Sequence, residues 1–229
     1  HDGITAALKE KAGVRVSSEW LTACLAHLRQ TNEAESEEQV LHQILYSDLR
    51  NVVQRDQDDG ILRQALSQEH TILPTCFLLM VQVEEFLDVS LNAEARLQVG
   101  PASATAPTPV GNQQLRCLKL YLSDGYNPTR QHLVAMETSP ISNLSVNSKA
   151  GMKLLLRGAI PCRHGILMCN NDHVQVLGGK VVSLMEIQRK AMEQAKKVAG
   201  VGVDPTIKAL IWHPEGANDG EEEQDEGDG

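Results

Sequence analysis

Phe77-Leu78-Leu79-Met80-Val81-Gln82-Val83-Glu84 is the stretch on which the reading of the fold turns. Upstream of it, apolar residues recur at helical spacing. From Phe77 onward they recur at every second position. Leu79, Val81 and Val83 alternate with Met80, Gln82 and Glu84, which predicts a strand with one buried face. The same period returns where Leu118, Leu120 and Leu122 alternate with Cys117, Lys119 and Tyr121, and Asp124-Gly125 closes that second strand with a turn. A third strand is predicted over 132–137 and is stopped by Pro140. A fourth, over 153–160, is apolar enough at its centre to be buried on both faces. A fifth, over 165–169, is extended past Asn170-Asn171-Asp172 by residues 173–177, and Gly178-Gly179 ends the sheet.

The flanks read as helices. Ser17 and Ser18 precede Glu19-Trp20-Leu21, and Leu21, Cys24, Leu25 and Leu28 share one face. Ser36 caps a following helix, with Gln39 three residues later as its capping-box partner. Val40, Leu41, Ile44, Leu45 and Leu49 continue that helix's apolar stripe. Residues 2–11 form a weaker first helix ended by Gly13. Leu184, Ile187, Ala191 and Ala195 place one more helix over 181–199. The stretch 61–73 reads either way. Five strands in about 100 residues, bracketed by helices, are the mark of the oligonucleotide/oligosaccharide-binding (OB) barrel. The expected fold class is therefore α+β. A three-helix bundle (1–60) precedes a five-stranded OB barrel (61–200), which carries an insertion after its first strand and a closing helix. A flexible tail (201–229) follows. Residues 142–148 lie where that fold usually places a helix between strands three and four. A small open sheet packed on helices is the alternative that periodicity leaves open.

Charge is unevenly distributed. Of 30 acidic residues, eight lie in 215–229 with no base among them, so the remaining 22 nearly balance the 21 Lys and Arg. Such a block stays solvated, as a solubilising tail or as a contact for a basic partner. Between strands one and two lie residues 91–114, whose middle runs Gly100-Pro101-Ala102-Ser103-Ala104-Thr105-Ala106-Pro107-Thr108-Pro109-Val110-Gly111. No residue of that run is charged and three are proline. Such a run is either a passive insertion or a stiffened probe held out from a rigid scaffold.

Little in the chain points to catalysis. There is no phosphate-binding Gly-Lys-Ser or Gly-Lys-Thr, no nucleophile-elbow serine, and no paired carboxylates at a useful separation. Five cysteines, an odd number without tight spacing, read as free thiols of a nuclear or cytoplasmic protein. No segment is apolar and long enough for a membrane span. Cys162, His164, Cys169 and His173 are zinc-ligand types in a narrow window, but their spacing matches no common module. Cysteines acting as small apolar residues are the better account, so no metal or cofactor is expected. For nucleic acid, residues 74–178 hold eight Lys/Arg against seven acids, so counterion release offers little affinity. Lys119, Tyr121 and Arg157 form at most a minor patch. A protein-binding barrel is favoured over an autonomous single-strand binder. Its expected docking positions flank the insertion: Glu84, Glu85, Phe86, Asp88 and Arg116.

Four motifs occur in a fixed order: Tyr46-Ser47-Asp48-Leu49-Arg50, Leu120-Tyr121-Leu122-Ser123-Asp124-Gly125, Lys153-Leu154-Leu155-Leu156-Arg157-Gly158 and Val176-Leu177-Gly178-Gly179-Lys180-Val181. Together, over about 16–199, they resemble the N-terminal region of the RecQ-mediated genome instability protein 1 family. Tudor-domain-containing protein 3 has a similar N-terminal region. Leu87-Asp88-Val89-Ser90 followed by a long insertion looks more like the first family. The resemblance implies a non-catalytic nuclear partner of a type IA topoisomerase (topoisomerase III) and a RecQ-family helicase. It leaves room for a second small OB-fold subunit, and DNA would be met mainly through the complex. It also implies that the insertion, here residues 91–114 with Pro101, Ala102, Ser103, Ala104, Thr105, Ala106, Pro107, Thr108, Pro109 and Val110 at its tip, enters the topoisomerase gate. The outcome is dissolution of double Holliday junctions in recombination, replication and repair.

Overall fold

In a computed structural model, the structure describes residues 2–54, 60–92, 116–126 and 133–199. The tip residues 101–110 and the tail 201–229 lie outside the described residues.

The N-terminal helices are α1 (Asp2–Ala12), α2 (Ser18–Gln30), α3 (Glu37–Tyr46) and the one-turn α4 (Leu49–Val52). Their starts follow from local chemistry. The Ser17 side chain accepts a hydrogen bond from the Trp20 amide at 3.1 Å, and the Ser36 side chain accepts one from the Gln39 amide at 3.3 Å. Each satisfies an amide that has no partner within the helix. Asp48 does the same for the Arg50 amide at the start of α4. Leu21, Leu25, Leu28, Val40, Ile44 and Leu49 bury one shared face.

The ambiguous 61–73 stretch splits into α5 (Ile61–Leu66) and a short strand β1 (His70–Ile72). Then follow β2 (Leu78–Asp88), β3 (Leu118–Ser123), β4 (Leu133–Glu137), β5 (Lys153–Arg157), β6 (Pro161–Arg163), β7 (Ile166–Cys169), β8 (Val174–Gly178) and helix α6 (Val182–Val198). The ladder order is β1-β6-β7-β4-β3-β2-β5-β8. Among the described residues the sheet thus has eight strands where five were expected. β7 and β8 are two halves of the expected fifth strand, and β1 and β6 are additions. This split curls the sheet. β7 pairs in parallel with β4, β8 pairs with β5, and only residues 170–173 separate the two halves. The chain itself therefore draws the ends of the β4-β3-β2-β5 ladder together. No helix forms over 142–148. Turns occupy it, with Asn143 at φ 63° and the Ser145 amide bonded to the Ser148 hydroxyl, the local bonding by which Ser and Asn compete with a helix.

The long strand β2 departs from the simple alternation. Val81 and Val83 face the barrel interior as expected. Met80 and Gln82 are equally buried, at 1% and 0% exposure, because the helices cover the other face. Met80 belongs to the helical core cluster and Val81 to the barrel cluster, so β2 joins the two cores. A bulge between Val83 and Glu85 then shifts the register. A one-residue slip exchanges the two faces of a strand, so beyond the bulge the even-numbered Phe86 and Asp88 point inward. Two glycines let the layers touch. A Cβ on Gly13 (φ 60°) would lie 2.6 Å from the Leu78 backbone, and one on Gly179 (φ 83°) would overlap the Leu45 carbonyl. No helix among the described residues is long and apolar enough to cross a membrane.

Candidate protein-interaction surface

Residues 93–115, outside the described residues, connect the end of β2 to the start of β3, and the neck formed by the two flanking segments is clamped. The Asp88 carboxylate accepts from the Ser90 amide (3.0 Å), the Ser90 hydroxyl (2.6 Å) and the Cys117 amide (3.4 Å). The Val89 amide donates to the Cys117 carbonyl at 2.9 Å, closing the neck across the two strands. Below it, Arg116 forks onto Glu137 at 2.6 and 3.2 Å and also donates to the Leu144 and Ile141 carbonyls. The Glu137 side chain is 1% exposed. Each of its oxygens accepts twice: one from Arg116 and the Ile141 amide, the other from Arg116 and the Leu118 amide. A buried carboxylate with all its sites filled is rigid, because every displacement breaks a charge-assisted bond.

Beside the neck lies the open outer face of the barrel. Cross-strand partners share a face of the sheet, so the registers define two rows. One runs Leu87, Lys119, Met136, Met168 across β2, β3, β4 and β7. The other runs Glu85, Tyr121, Val134, Ile166. Glu85 is exposed and the rest are half-buried, while the neighbours on the opposite face (Phe86, Leu118, Leu120, Ala135, Leu167) are buried. Six of the eight outward residues are uncharged and largely apolar, and Lys119 and Glu85 cancel. Val89, 39% exposed, adds an apolar residue at the neck. The face spans three strand gaps, about 14 Å, next to the anchor of the long insertion. An apolar, electrically neutral, methionine-bearing face adapts to a protein surface and has little attraction for a polyanion.

The residues expected from sequence to dock a partner divide accordingly. Glu85 is on the surface. Phe86 is a correction: it is 7% exposed and packs in the barrel core, turned inward by the bulge. Asp88 is also buried, and Arg116 is held by Glu137; both build the neck. Glu84 is turned toward the helices, where it accepts from Arg50 and Gln82. Lys119 and Tyr121 lie together, with the Lys119 ammonium 4.9 Å from the centre of the Tyr121 ring. That ring face is covered by a cation instead of being open to a base. Arg157 is not brought to them. It pairs with Leu78, whereas Lys119 pairs with Leu87, nine residues further along β2 and up to about 30 Å away.

Cys162 and Cys169 face the barrel core with 0% exposure, and burial pushes the Cys169 thiol up to about 12. They pack as apolar residues, while His164 sits exposed at the β6–β7 turn. What sequence reasoning missed is the outward row on β4 and β7. Its signal was present in Leu133-Val134-Ala135-Met136-Glu137, where Val134 and Met136 fall opposite Leu133 and Ala135. The inward-facing Glu137 disguised the pattern as a strand end.

Residues 26–192 match the family model described as "RMI1, N-terminal OB-fold domain". The chain is 33% identical over 192 residues to RecQ-mediated genome instability protein 1 of Xenopus laevis, covering 75% of this chain and 32% of that protein. It is 30% identical over 207 residues to the Danio rerio protein of the same name, covering 82% and 38% respectively. Tudor domain-containing protein 3 of Xenopus tropicalis is 31% identical over 93 residues, 39% of this chain and 12% of that protein. The chain spans about a third of the length of the curated relatives it matches most extensively.

Proposed function

We propose a function from one premise: this chain belongs to the RecQ-mediated genome instability protein 1 family and carries its N-terminal OB-fold domain. It serves in the nucleus as a non-catalytic accessory subunit of a complex that maintains genome stability, and its partners are topoisomerase III and a RecQ-family helicase. The insertion 91–114 enters the topoisomerase gate and biases it toward the state that lets DNA strands pass. The outer barrel face carries the docking contacts, and the complex dissolves double Holliday junctions. Family membership over most of the chain is the observation that carries this reading.

The geometry supports it in two ways. A segment that biases a gate has to be held at a fixed base, since it shifts an equilibrium only by its differential affinity for the two gate states. The clamped neck supplies that base. The neutral apolar face beside it has the charge-poor, methionine- and tyrosine-bearing composition of an interface core. The other reading, a free-standing single-strand binder, asks for a basic groove with open stacking rings. It is weakened by the balanced charge of the face and by the lysine lying over Tyr121.

The test is to mix the chain with a purified type IA topoisomerase III, measure complex formation, and then assay junction dissolution. Deleting 101–110 is expected to leave complex formation and melting temperature unchanged and to abolish the stimulation of dissolution. Stimulation that survives the deletion contradicts the gate mechanism. A failure of the intact chain to bind the topoisomerase contradicts the accessory role itself.

A further inference from the structure

Outside the neck and the outer face, one group of metal-ligating side chains converges among the described residues. Glu69, His70 and His164 each present a ligand atom, and these atoms lie within 4.8 Å of one another. Glu69 and His70 are neighbours in the chain, and His164 comes more than ninety residues later. β1 pairs with β6 in the register His70 to Arg163, and the His164 amide donates to the Glu69 carbonyl at 2.9 Å. In a regular ladder that register would send the side chains of His70 and His164 to opposite faces of the sheet. Instead their rings meet edge-on, with centroids 5.3 Å apart. The chain leaves the extended conformation at this point: His164 has φ 48° and the following Gly165 φ 77°. A left-handed backbone is unfavourable for a residue with a Cβ. Its consequence here is to bring two imidazoles and a carboxylate together.

The geometry points to a binding site for a divalent transition ion, of which Zn²⁺ is the best match, held by Glu69, His70 and His164. Two imidazoles and a carboxylate are a common zinc donor set, with a fourth position left to water or to a group from outside. Ligands at 2.0–2.1 Å in a tetrahedron stand about 3.4 Å apart. The three exposed side chains have to close by about 1.5 Å at most, which rotamer changes at the surface allow. Arg163, the strand partner of His70, is the opposing charge and lowers the affinity. Bound there, the ion ties the three-residue edge strand β1 to the β6–β7 turn. It thereby fastens the outermost strand of the sheet at the place where the helical region leads into the barrel. Ordinary edge pairing over three residues is weak, so the ion adds stability where the ladder has least.

The full 229-residue chain, stripped of metal, is titrated with ZnCl2 in a non-chelating buffer and followed by calorimetry and thermal melting. The expected result is one saturable site. A rise in melting temperature of about 5 °C is expected at a hundredfold excess over the dissociation constant. In the His70→Ala/His164→Ala double variant affinity falls by more than about tenfold, the loss that an outer-shell change alone can cause, since two of three ligands are gone. Glu69→Gln weakens binding less, and Cys76→Ser, which removes an exposed thiol, leaves it intact. These side chains are exposed, so the melting temperature of the metal-free variants should match the parent. An NMR readout on the unsubstituted chain needs no variant. Of its eight histidines, the ring signals of His70 and His164 should shift with bound Zn²⁺. The assignment is overturned by unchanged binding in the double variant, by the absence of saturable binding, or by shifts confined to other histidines.

Discussion

Two polar networks among the described residues, one under the neck and one where helices meet barrel, are built differently. Under the neck, Glu137 meets Arg116 and two backbone amides, and every acceptor position of the carboxylate is used. At the joint between helices and barrel, Gln82 bridges Asp48, Glu84 and the Leu49 amide, Arg50 reaches both acids, and Lys153 donates to the Gly151 and Leu45 carbonyls. Burial works against the charge on Asp48, but hydrogen bonds from Arg50 and Gln82 outweigh it and hold the carboxyl below its ordinary range. The Lys153 ammonium fares worse. Burial pushes it down to about 8 despite the attraction of Asp48 and Glu84. The neck is thus a closed electrostatic unit, whereas the joint keeps one group close to losing its proton. The role proposed for the insertion needs a rigid base. The seam between its two cores has no such demand and contains the softer arrangement.

Breaking the neck should cost most. Glu137→Ala leaves the Leu118 and Ile141 amides without their acceptor and the Arg116 charge without its carboxylate, held only by the Leu144 and Ile141 carbonyls, and is expected to lower stability by about 4 kcal/mol in chemical denaturation. A loss under 1 kcal/mol contradicts the claim that this carboxylate organises the neck. The joint should reveal itself through pH. Lys153 has a folded value of about 8 against 10.5 for the ordinary side chain. Between these values the unfolded chain binds more protons, so stability should rise with pH across that window, by on the order of 3 kcal/mol, and be flat from this group below it. Lys153→Met should remove the rise, whereas Glu137 variants should keep it. Equal slopes with and without the lysine would sink the contrast. Gln82→Leu strips the bridging amide from the joint and should cost about 2 kcal/mol, since the Leu49 amide loses its acceptor. Thermal melting reads that change, and it should leave the affinity for a topoisomerase unaltered. The smallest effect is expected from Arg116→Lys. The charge stays but the fork is lost, for about 1 kcal/mol. A larger drop in partner stimulation than in stability would show that the stiffness of the neck matters in its own right.

The helices could be read from the chain because their causes are local. Ser17 and Ser36 cap amides three residues away, and the apolar stripe behind each recurs every turn. The alternation in β3 was equally plain, since a period of two is a property of neighbouring residues. The docking residues were misjudged for a non-local reason. Phe86 and Asp88 follow a bulge that only the pairing of β2 with β3 reveals, and their faces are exchanged by it. Glu137 reads as a polar strand end until Arg116, Leu118 and Ile141 are seen to surround it. The strand status of 70–72 was hidden because β1 exists only by pairing with β6, some ninety residues on.

By itself, then, the chain determined where helices begin, which stretches extend, and that an insertion with an uncharged middle follows the strand that Phe77 opens. These depend on spacing within a few residues. Only the folded molecule decided which face of β2 meets helices and which stays open, how the split final strand draws the sheet round, and that Glu69, His70 and His164 converge. Such facts arise when distant segments pair, and a one-residue slip in pairing reverses them. No local pattern encodes that register.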